Sequence, residues 1–223
     1  MAETTTTAAD ALTTRLERCY SGAIHDVLRA MGERDFVLPE SLRGLDPALK
    51  LAGPAWTVSG RHDDTLDAHA TLLNWTGLLA RARPGSVVVC QPNTSACALM
   101  GELSAETLKH RGVRGYVVDG AARDVEFILA LGFPVYCRFT TPVDIVGKWT
   151  PVAFEEPITI GAVTIALGDY LLADRDGIVR IPRAIAAEVV RRTEEVVGTE
   201  NLLRQAILDG MDPQAAYLKF GKF

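Results

Sequence analysis

Apolar side chains recur along the chain at two spacings, one typical of helices and one typical of strands. Helical spacing covers residues 10–31, where Ser21 is placed to cap a second helix and Gly32 to end it. A continuous apolar run over 51–59 predicts a strand. Helical spacing returns over 66–82. The pattern therefore predicts a broken helical lead-in, then a strand and a helix.

The middle of the chain repeats a pattern of strand and helix. Short apolar, β-branched runs predict strands, and each helical segment between them ends at a glycine. The predicted order is strand 86–91, helix 98–112, strand 115–119, helix 123–132 and strand 134–139. This alternation predicts right-handed βαβ crossovers on a parallel sheet.

The pattern changes at Ile158. Short β-branched strands separated by glycines predict hairpins packed beside the parallel unit, including one turn at 174–177 with the sequence Asp-Arg-Asp-Gly. Apolar residues at helical spacing over 182–208 then predict a long helix that breaks around Gly198.

The chain of 223 residues predicts one domain, because it holds no internal repeat and no linker rich in Ser, Gly or Pro. We place this α/β domain at 10–208, after a disordered N-terminus at 1–9 and before a C-terminal extension at 209–223. Its expected layout is a parallel βαβ core with added β-hairpins and flanking N- and C-terminal helices.

Charge and cysteine content narrow the function. A net charge of −5 argues against broad binding of nucleic acid or of an anionic membrane surface. The four cysteines form no Cys-x-x-Cys pair and mostly lie in or beside apolar runs, which predicts buried thiols and a reducing compartment. The first residues do not resemble a secretion signal. We therefore expect a cytoplasmic protein with no membrane span.

Two loops carry the candidate chemistry. Parallel sheets bind ligands outside the carboxyl ends of their strands. The first loop contains Gly101, which lets a backbone approach a ligand closely, and the amides of Glu102 and Leu103 then open a helix. Free amides at the positive end of a helix dipole suit a carboxylate or a phosphate. The second loop, 119–124, lies beside the first if the two strands are neighbours.

The second loop admits two interpretations. The guanidinium of Arg123 can grip a carboxylate by two hydrogen bonds, and Asp124 offers a hard oxygen to a divalent cation such as Mg²⁺. A metal-chelating oxoacid would then bind here. In the alternative, Asp119 caps the following helix, Arg123 pairs with Glu126 or Asp119 at the surface, and nothing binds. Spacing alone leaves both open, because acids are ordinary at helix N-termini.

Other motifs are weaker. His62 and His69 are seven residues apart, and the change from strand to helix falls between them, which favours helix capping by Asp63 or Asp64 over a metal site. The sequence contains no serine-hydrolase elbow, phosphate-binding P-loop or dinucleotide-binding glycine motif.

One combination of segments resembles a known family. The segment MGELS at 100–104 and the segment GYVVDGAARDVE at 115–126 are accompanied by GPAWTV upstream at 53–58 and GDYLLADRDGIVRIP downstream at 168–182. Together they resemble the RraA-like family, over about residues 21–206. Its members include 4-hydroxy-4-methyl-2-oxoglutarate aldolases and protein regulators of ribonuclease activity.

The resemblance implies a swivelling β/β/α-type fold that assembles into homotrimers or homohexamers, with sites at subunit interfaces. It also implies that the site binds a small 2-oxoacid with a Mg²⁺ or Mn²⁺ ion. The implied roles are oxoacid binding for Gly101, Glu102, Leu103 and Arg123, metal binding for Asp124, and action through metal-bound waters for Asp119 and for Glu200 of a neighbouring subunit.

Three functions remain open. The first is metal-assisted retro-aldol cleavage of a 4-hydroxy-2-oxoacid to pyruvate, with decarboxylation of oxaloacetate as a side activity. The second is a non-catalytic regulator that binds an RNA-processing enzyme. The third is a related lyase with another hydroxy-acid or keto-acid. The stretch 141–157 departs from the family where substrate-side residues are expected, which leaves the carbonyl product unidentified.

Overall fold

The computed structural model describes residues 8–221 of the chain as a mixed α/β fold. The helices are α1 (Ala8–Leu16), α2 (Ser21–Ala30), α3 (Ala68–Arg81), α4 (Glu102–His110), α5 (Val125–Leu131), α6 (Ala186–Leu208) and α7 (Pro213–Phe220). The strands are β1 (Arg43–Gly44), β2 (Leu51–His62), β3 (Val87–Gln91), β4 (Gly115–Val118), β5 (Ala121–Ala122), β6 (Val135–Cys137), β7 (Phe139–Thr140), β8 (Trp149–Phe154), β9 (Ile158–Ile160), β10 (Val163–Ile165), β11 (Tyr170–Ala173) and β12 (Ile178–Ile181).

The main sheet contains the predicted parallel unit. Its order is β1-β6-β4-β3-β2-β11-β12, and β8 also pairs with β2. Strands β2, β3, β4 and β6 are parallel neighbours, joined through α3, α4 and α5. The hairpin β11–β12 extends the sheet antiparallel to β2, and β9–β10 forms a separate hairpin. The predicted crossovers and both predicted hairpins are confirmed.

Alternating side chains on the parallel strands build two cores. Val88 and Cys90 point into a cluster with residues of α3, α4 and α5, whereas Val87 and Val89 point into a cluster with the β9–β10 hairpin. Because successive strand residues face opposite sides, one strand supplies both cores. The sheet is thus covered by helices on one face and by a β-hairpin on the other, which is the expected β/β/α layering.

Strand β2 is the longest strand among the described residues and contacts three others. It pairs with β11 through residues 51–54, with β3 through 55–59 and with β8 through 58–62. A register shift at Ser59 and Gly60 bends it toward β8. A Cβ on Gly60 would lie 2.0 Å from the Trp149 ring, so this crossing requires glycine.

Two predicted helix caps differ from the structure. Ser21 is the first residue of α2 and does not cap it; its N–H and hydroxyl both donate to the carboxylate of Asp174. Helix α3 is capped by Asp67, which accepts from the N–H of Ala70, and so the predicted caps Asp63 and Asp64 are wrong. Asp63 instead accepts from both the N–H and the hydroxyl of Thr65 within the preceding turn.

The predicted break of the last helix at Gly198 is also wrong. Helix α6 runs without interruption from Ala186 to Leu208. Glycine inside a helix costs only about 1 kcal/mol. Buried residues on both sides of it, Val190 and Thr193 before and Leu203 after, hold the helix against the rest of the fold.

The structure of the two chain ends can be compared with the predicted N-terminal stretch 1–9 and the predicted extension 209–223. Residues 1–7 of the predicted disordered stretch lie outside the described residues, and α1 already begins at Ala8. In the predicted extension, Asp212 caps α7 and Ala216 is buried. Among the described residues, no helix has the length and apolar character needed to span a membrane.

All four cysteines are free and buried, which confirms the prediction of buried thiols. They are Cys19, Cys90, Cys97 and Cys137. Burial raises the pKa of each thiol, to about 12 for Cys90 and to about 11 for Cys137. These thiols are therefore neutral core side chains at neutral pH.

Candidate functional site

The two predicted loops lie side by side at the carboxyl ends of β3 and β4. These strands are parallel neighbours, as the prediction required. Backbone hydrogen bonds join the loops: the N–H of Leu99 donates to the carbonyl of Ala121 at 2.8 Å, and the N–H of Arg123 donates to that of Met100 at 2.8 Å. The backbone therefore fixes the start of α4 against the start of α5.

Glycine is favoured at position 101 by the space around it and not by its backbone angles. It precedes α4 with a φ of −147°, an extended conformation open to any residue. A Cβ at this position would lie 2.6 Å from Oδ2 of Asp124 and 3.3 Å from Nε of Arg123. The group that approaches Gly101 closely in this chain is the side chain of Asp124, and the predicted approach to a ligand stays a prediction.

Asp124 connects the two helix starts. It adopts the left-handed conformation, with φ 54° and ψ 40°, which Asp tolerates better than most residues. Its carboxylate does not cap α5, which follows it, but reaches back to α4, where Oδ2 accepts from the N–H of Glu102 at 3.2 Å. Nε of Arg123 lies 3.4 Å from the same oxygen. No described residue bonds to Oδ1.

The surface pairing that we considered for this loop does not occur. Arg123 pairs with Asp124 and with neither Glu126 nor Asp119. Asp119 does not cap α5 either; Nε of Arg138 donates to its carboxylate, and Arg138 also donates to the hydroxyl of Ser41. Asp119 is also not among the residues that line the cavity beside the two loops, which is described below. Its proposed action through water remains a prediction.

Glu200 lies on α6, where the hydroxyl of Tyr20 donates to its carboxylate. Burial, followed by this hydrogen bond, raises the pKa of Tyr20 to about 12. Glu200 is not among the lining residues of the site in its own chain. Because its expected role is in a neighbouring subunit, that role remains a prediction.

The loops open onto a cavity of about 490 Å³, within the usual range for small-molecule sites. Its lining includes the predicted residues Gly101, Glu102, Leu103, Arg123 and Asp124. Further lining residues come from α3 and from the segment between β7 and β8. They are Leu72, Trp75, Thr76, Leu79, Asp144, Ile145 and Val146.

The lining residues of α3 and of the segment between β7 and β8 were not predicted from the sequence. The predicted helical spacing of α3 pointed to a buried face, and Trp75 is indeed buried, yet Leu72 is 48% exposed within the cavity. Asp144 lies in the stretch 141–157. The departure of this stretch from the family was the only feature of the sequence that could have indicated a lining residue here. It accepts from the N–H of Val146 at 3.3 Å and so is held within its own loop.

The donor set fits a cation that needs few protein ligands. Within residues 8–221, no three His, Cys, Asp or Glu side chains are grouped closely enough to hold a metal ion. Mg²⁺ usually takes one or two protein carboxylates and fills its remaining positions with water or substrate. Asp124, 36% exposed at the side chain and with Oδ1 unbonded among the described residues, meets that requirement.

The layers and the paired loops define a β/β/α protein with a small-molecule-sized cavity at the carboxyl ends of its parallel strands. Residues 21–180 match the family model described as RraA-like, Aldolase/RraA. The chain therefore belongs to the RraA-like family.

Named relatives carry two kinds of description. A protein of Halalkalibacterium halodurans named "Putative 4-hydroxy-4-methyl-2-oxoglutarate aldolase" is 30% identical over 184 residues, which cover 82% of this chain and 83% of that protein. Protein DlpA of Legionella pneumophila is 31% identical over 199 residues, which cover 88% of this chain. The chain spans only 31% of the length of DlpA.

A solved structure has the same fold and a different description. RraAS2 of Streptomyces coelicolor is described as an unusual member of the RNase ES inhibitor RraA protein family. It superposes with a TM-score of 0.75 at 29% identity, over 87% of this chain and 96% of RraAS2. The family therefore includes proteins described as enzymes and proteins described as inhibitors.

Proposed function

We propose that this protein is a divalent-metal-dependent aldolase that cleaves a 4-hydroxy-2-oxoacid, such as 4-hydroxy-4-methyl-2-oxoglutarate, into pyruvate and a carbonyl product. The observation that carries the proposal is the meeting of Asp124, Arg123 and the N-terminus of α4 at one end of the cavity. Decarboxylation of oxaloacetate is the expected side activity, because it forms the same pyruvate enolate.

The protein's own groups bind the oxoacid. The N–H of Glu102 is already used by Asp124, so helix α4 offers the amides that follow it and the positive end of its dipole, which favours the substrate carboxylate. Arg123 uses Nε toward Asp124, which leaves its terminal nitrogens for the carboxylate or the 2-oxo group. Leu103 contributes its backbone, since its side chain is 75% exposed.

Asp124 would hold Mg²⁺ or Mn²⁺. When bound, the cation supplies Lewis-acid polarisation of the 2-oxo group, which favours breakage of the C3–C4 bond. Arg123 adds positive charge at the oxygen where negative charge develops. Asp124 is therefore expected to serve the reaction through its free Oδ1, while Oδ2 keeps it in place against Glu102.

Cleavage also needs two proton movements. A base takes the proton of the C4 hydroxyl, and a donor returns a proton to C3 of the pyruvate enolate. We assign these roles to Asp119 and to Glu200 of a neighbouring subunit, each acting through water. Arg138 pairs with Asp119 in this structure and orients its carboxylate.

The test is pyruvate release from 4-hydroxy-4-methyl-2-oxoglutarate and from oxaloacetate, after chelation and again after addition of Mg²⁺ or Mn²⁺. We expect metal-dependent release by the natural protein and its loss in Asp124→Asn. Asparagine tolerates the left-handed conformation and still accepts from Glu102, so the variant removes charge and leaves the backbone unchanged.

Asp35→Asn is the matched control. Asp35 is also left-handed, with φ 50°, but it is exposed and lies outside the cavity lining. Its substitution is expected to leave pyruvate release unchanged. Equal loss in both variants would show a general effect of the substitution and would refute the role of Asp124.

The second candidate is a non-catalytic regulator that binds an RNA-processing enzyme, and the likeness to RraAS2 favours it. Absence of turnover with both compounds, together with absence of Mg²⁺ and Mn²⁺ binding by calorimetry, would support this regulator over the aldolase.

We also propose assembly into a homotrimer or homohexamer, to which the C-terminal segment contributes. Exposed apolar side chains at Leu208, Tyr217 and Leu218 support a contact there. Mass in solution, measured for the full chain and for a chain ending at Asp209, tests the idea. An unchanged oligomer after truncation would assign the contact elsewhere.

A further inference from the structure

We infer that Ser104 is a further binding residue for the oxoacid, that its hydroxyl donates a hydrogen bond to the substrate carboxylate, and that Trp75 positions this hydroxyl. The inference rests on the proposed function and deepens it, because it adds two residues to the same site. Neither residue was among the site residues predicted from the sequence.

Ser104 lies in the first turn of α4, beside the amides that suit a carboxylate. The helix begins at Glu102, and the N–H of Ala105 donates to the carbonyl of Gly101 at 3.0 Å. The N–H groups of Leu103 and Ser104 come before that bond, so neither has a partner within the helix. Ser104 is half-buried and lines the cavity. It can therefore offer both a backbone N–H and a hydroxyl to the same anion.

Trp75 determines what the Ser104 hydroxyl can do. Nε1 of Trp75 donates to Oγ of Ser104 at 2.9 Å. An indole N–H can only donate, so the hydroxyl accepts in this bond and its own proton points elsewhere. Within residues 8–221, no group accepts that proton. The proton is therefore available to a ligand in the cavity.

The indole of Trp75 is held by its neighbours. It is 7% exposed and meets the ring of Trp149 edge-on, with 5.9 Å between ring centroids and an interplanar angle of 74°. Trp149 is fully buried, and its Nε1 donates to the carbonyl of Pro92, just after β3, at 2.9 Å. These contacts all lie within one chain. The orientation of the Ser104 hydroxyl therefore does not depend on a neighbouring subunit.

A hydroxyl donor suits a carboxylate, because hydrogen bonds to an ionised acceptor are stronger than those between neutral groups. The substrate carboxylate keeps its charge throughout the reaction, since the C3–C4 bond breaks elsewhere in the molecule. A bond to it contributes equally to the bound substrate and to the transition state. Ser104 is therefore expected to strengthen binding of the oxoacid and to leave the rate of cleavage nearly unchanged.

The test uses the full chain with Mg²⁺ or Mn²⁺. It measures the Kd of pyruvate by calorimetry, and KM and kcat for 4-hydroxy-4-methyl-2-oxoglutarate. We expect Ser104→Ala to raise Kd and KM by about tenfold or more and to change kcat by less than about twofold. Unchanged Kd and KM, or a fall in kcat alone, would overturn the inference and leave the aldolase proposal standing. Absence of both pyruvate binding and turnover in the natural protein would overturn both.

Thr107→Val is the matched control on the same helix. Thr107 lies one turn after Leu103, and its hydroxyl donates to the carbonyl of Leu103 at 2.7 Å. The proton of this hydroxyl is thus already in use, so its removal is expected to leave the Kd of pyruvate unchanged. An equal rise of Kd in Thr107→Val and Ser104→Ala would show a general effect of losing a hydroxyl from α4, and would overturn the inference.

Trp75→Phe tests the positioning role, because it keeps an aromatic ring and removes the N–H. We expect the Kd of pyruvate to rise about threefold in the natural background and to stay unchanged in the Ser104→Ala background. The hydroxyl that Trp75 positions is absent from that second background. An equal rise in both backgrounds would show that Trp75 acts by packing alone, and would overturn its role.

The mass in solution separates a substrate contact from a subunit contact. Ser104→Ala is compared with the natural protein. An unchanged mass together with the raised Kd supports the inference. A changed mass would show that the hydroxyl serves a contact between subunits, and would overturn it.

Discussion

The substitution Gly101→Ala separates the function of the site from the stability of the fold. The added Cβ would lie 2.6 Å from Oδ2 of Asp124, where ordinary contact begins at 3.4 Å. The carboxylate must therefore move away by about 0.8 Å. Its hydrogen bond from the N–H of Glu102, already 3.2 Å long, would be stretched beyond hydrogen-bonding distance.

Gly101→Ala is expected to change the free energy of unfolding little and to lower turnover strongly. Loss of a hydrogen bond to a charged group costs about 1.5–3 kcal/mol, which we reduce to about 1 kcal/mol because the Asp124 side chain is 36% exposed. Alanine offsets about 0.5–1 kcal/mol of this by restricting the unfolded chain. The free energy of unfolding should then change by less than about 1 kcal/mol. Catalytic geometry is less tolerant, since a shift near 1 Å lowers turnover by about 100-fold.

Urea denaturation and metal-dependent pyruvate release, measured on the same preparations, test both expectations. Gly198→Ala is the control: a Cβ there meets no heavy atom within 4 Å, and the position is inside α6. It should stabilise by about 0.5–1 kcal/mol and leave turnover unchanged. Full turnover by Gly101→Ala would show that the position of Asp124 does not matter, and would refute the reasoning.

Three further predictions concern the fold. Asp169→Ala should lower the free energy of unfolding by about 3 kcal/mol in urea denaturation, because Asp169 is buried and accepts from Nε of Arg180 at 2.7 Å. Gly60→Ala should lower it by about 3 kcal/mol or more, because its Cβ would overlap the Trp149 ring. The free energy of unfolding should also fall as pH rises above 9.0, the usual pKa of a thiol. Burial raises the pKa of Cys137 to about 11, so this thiol ionises in the unfolded chain at a lower pH than in the folded protein.

The outcomes that would contradict these predictions are specific. Glu188→Ala removes exposed ion pairs on α6 and is the control for Asp169→Ala. If Glu188→Ala lost as much stability as Asp169→Ala, burial of Asp169 would not be the cause of the larger effect. Normal thermal unfolding of Gly60→Ala would show that β2 can move away from Trp149. Thiol labelling of the native protein that is as fast at pH 8 as in urea would contradict the burial of the cysteines.

The sequence predicted most of the fold because its signals are local. Strands β3 and β4 are continuous apolar runs, and the helices between strands end at glycines, so the crossovers and the proximity of the two loops followed. The starts of the helices were less accurate, because a cap depends on which side chain reaches the free amides. Asp174, distant in sequence, binds the start of α2 at Ser21, and no local pattern indicates such a contact.

The site was predictable only where it is close to the strands. Arg123 follows the predicted strand 115–119. Gly101 lay within the predicted helix 98–112, but the observed helix α4 begins one residue after it, and the two residues lie together as expected. The pairing of Asp119 with Arg138 was not predictable, because it depends on how the chain leaves β6. Asp144 was missed as a lining residue because it lies in a segment without periodicity, whose place is set by contacts with α3.

The long strand β2 also has a consequence for synthesis of the protein. Its partners β3, β8 and β11 are translated after it, and β11 ends at Ala173. A nascent chain therefore carries β2 with one edge unpaired until most of the protein has left the ribosome. Unpaired strand edges favour association between chains. Completion of this sheet is thus expected late in translation, and a chain that stops before Tyr170 should aggregate.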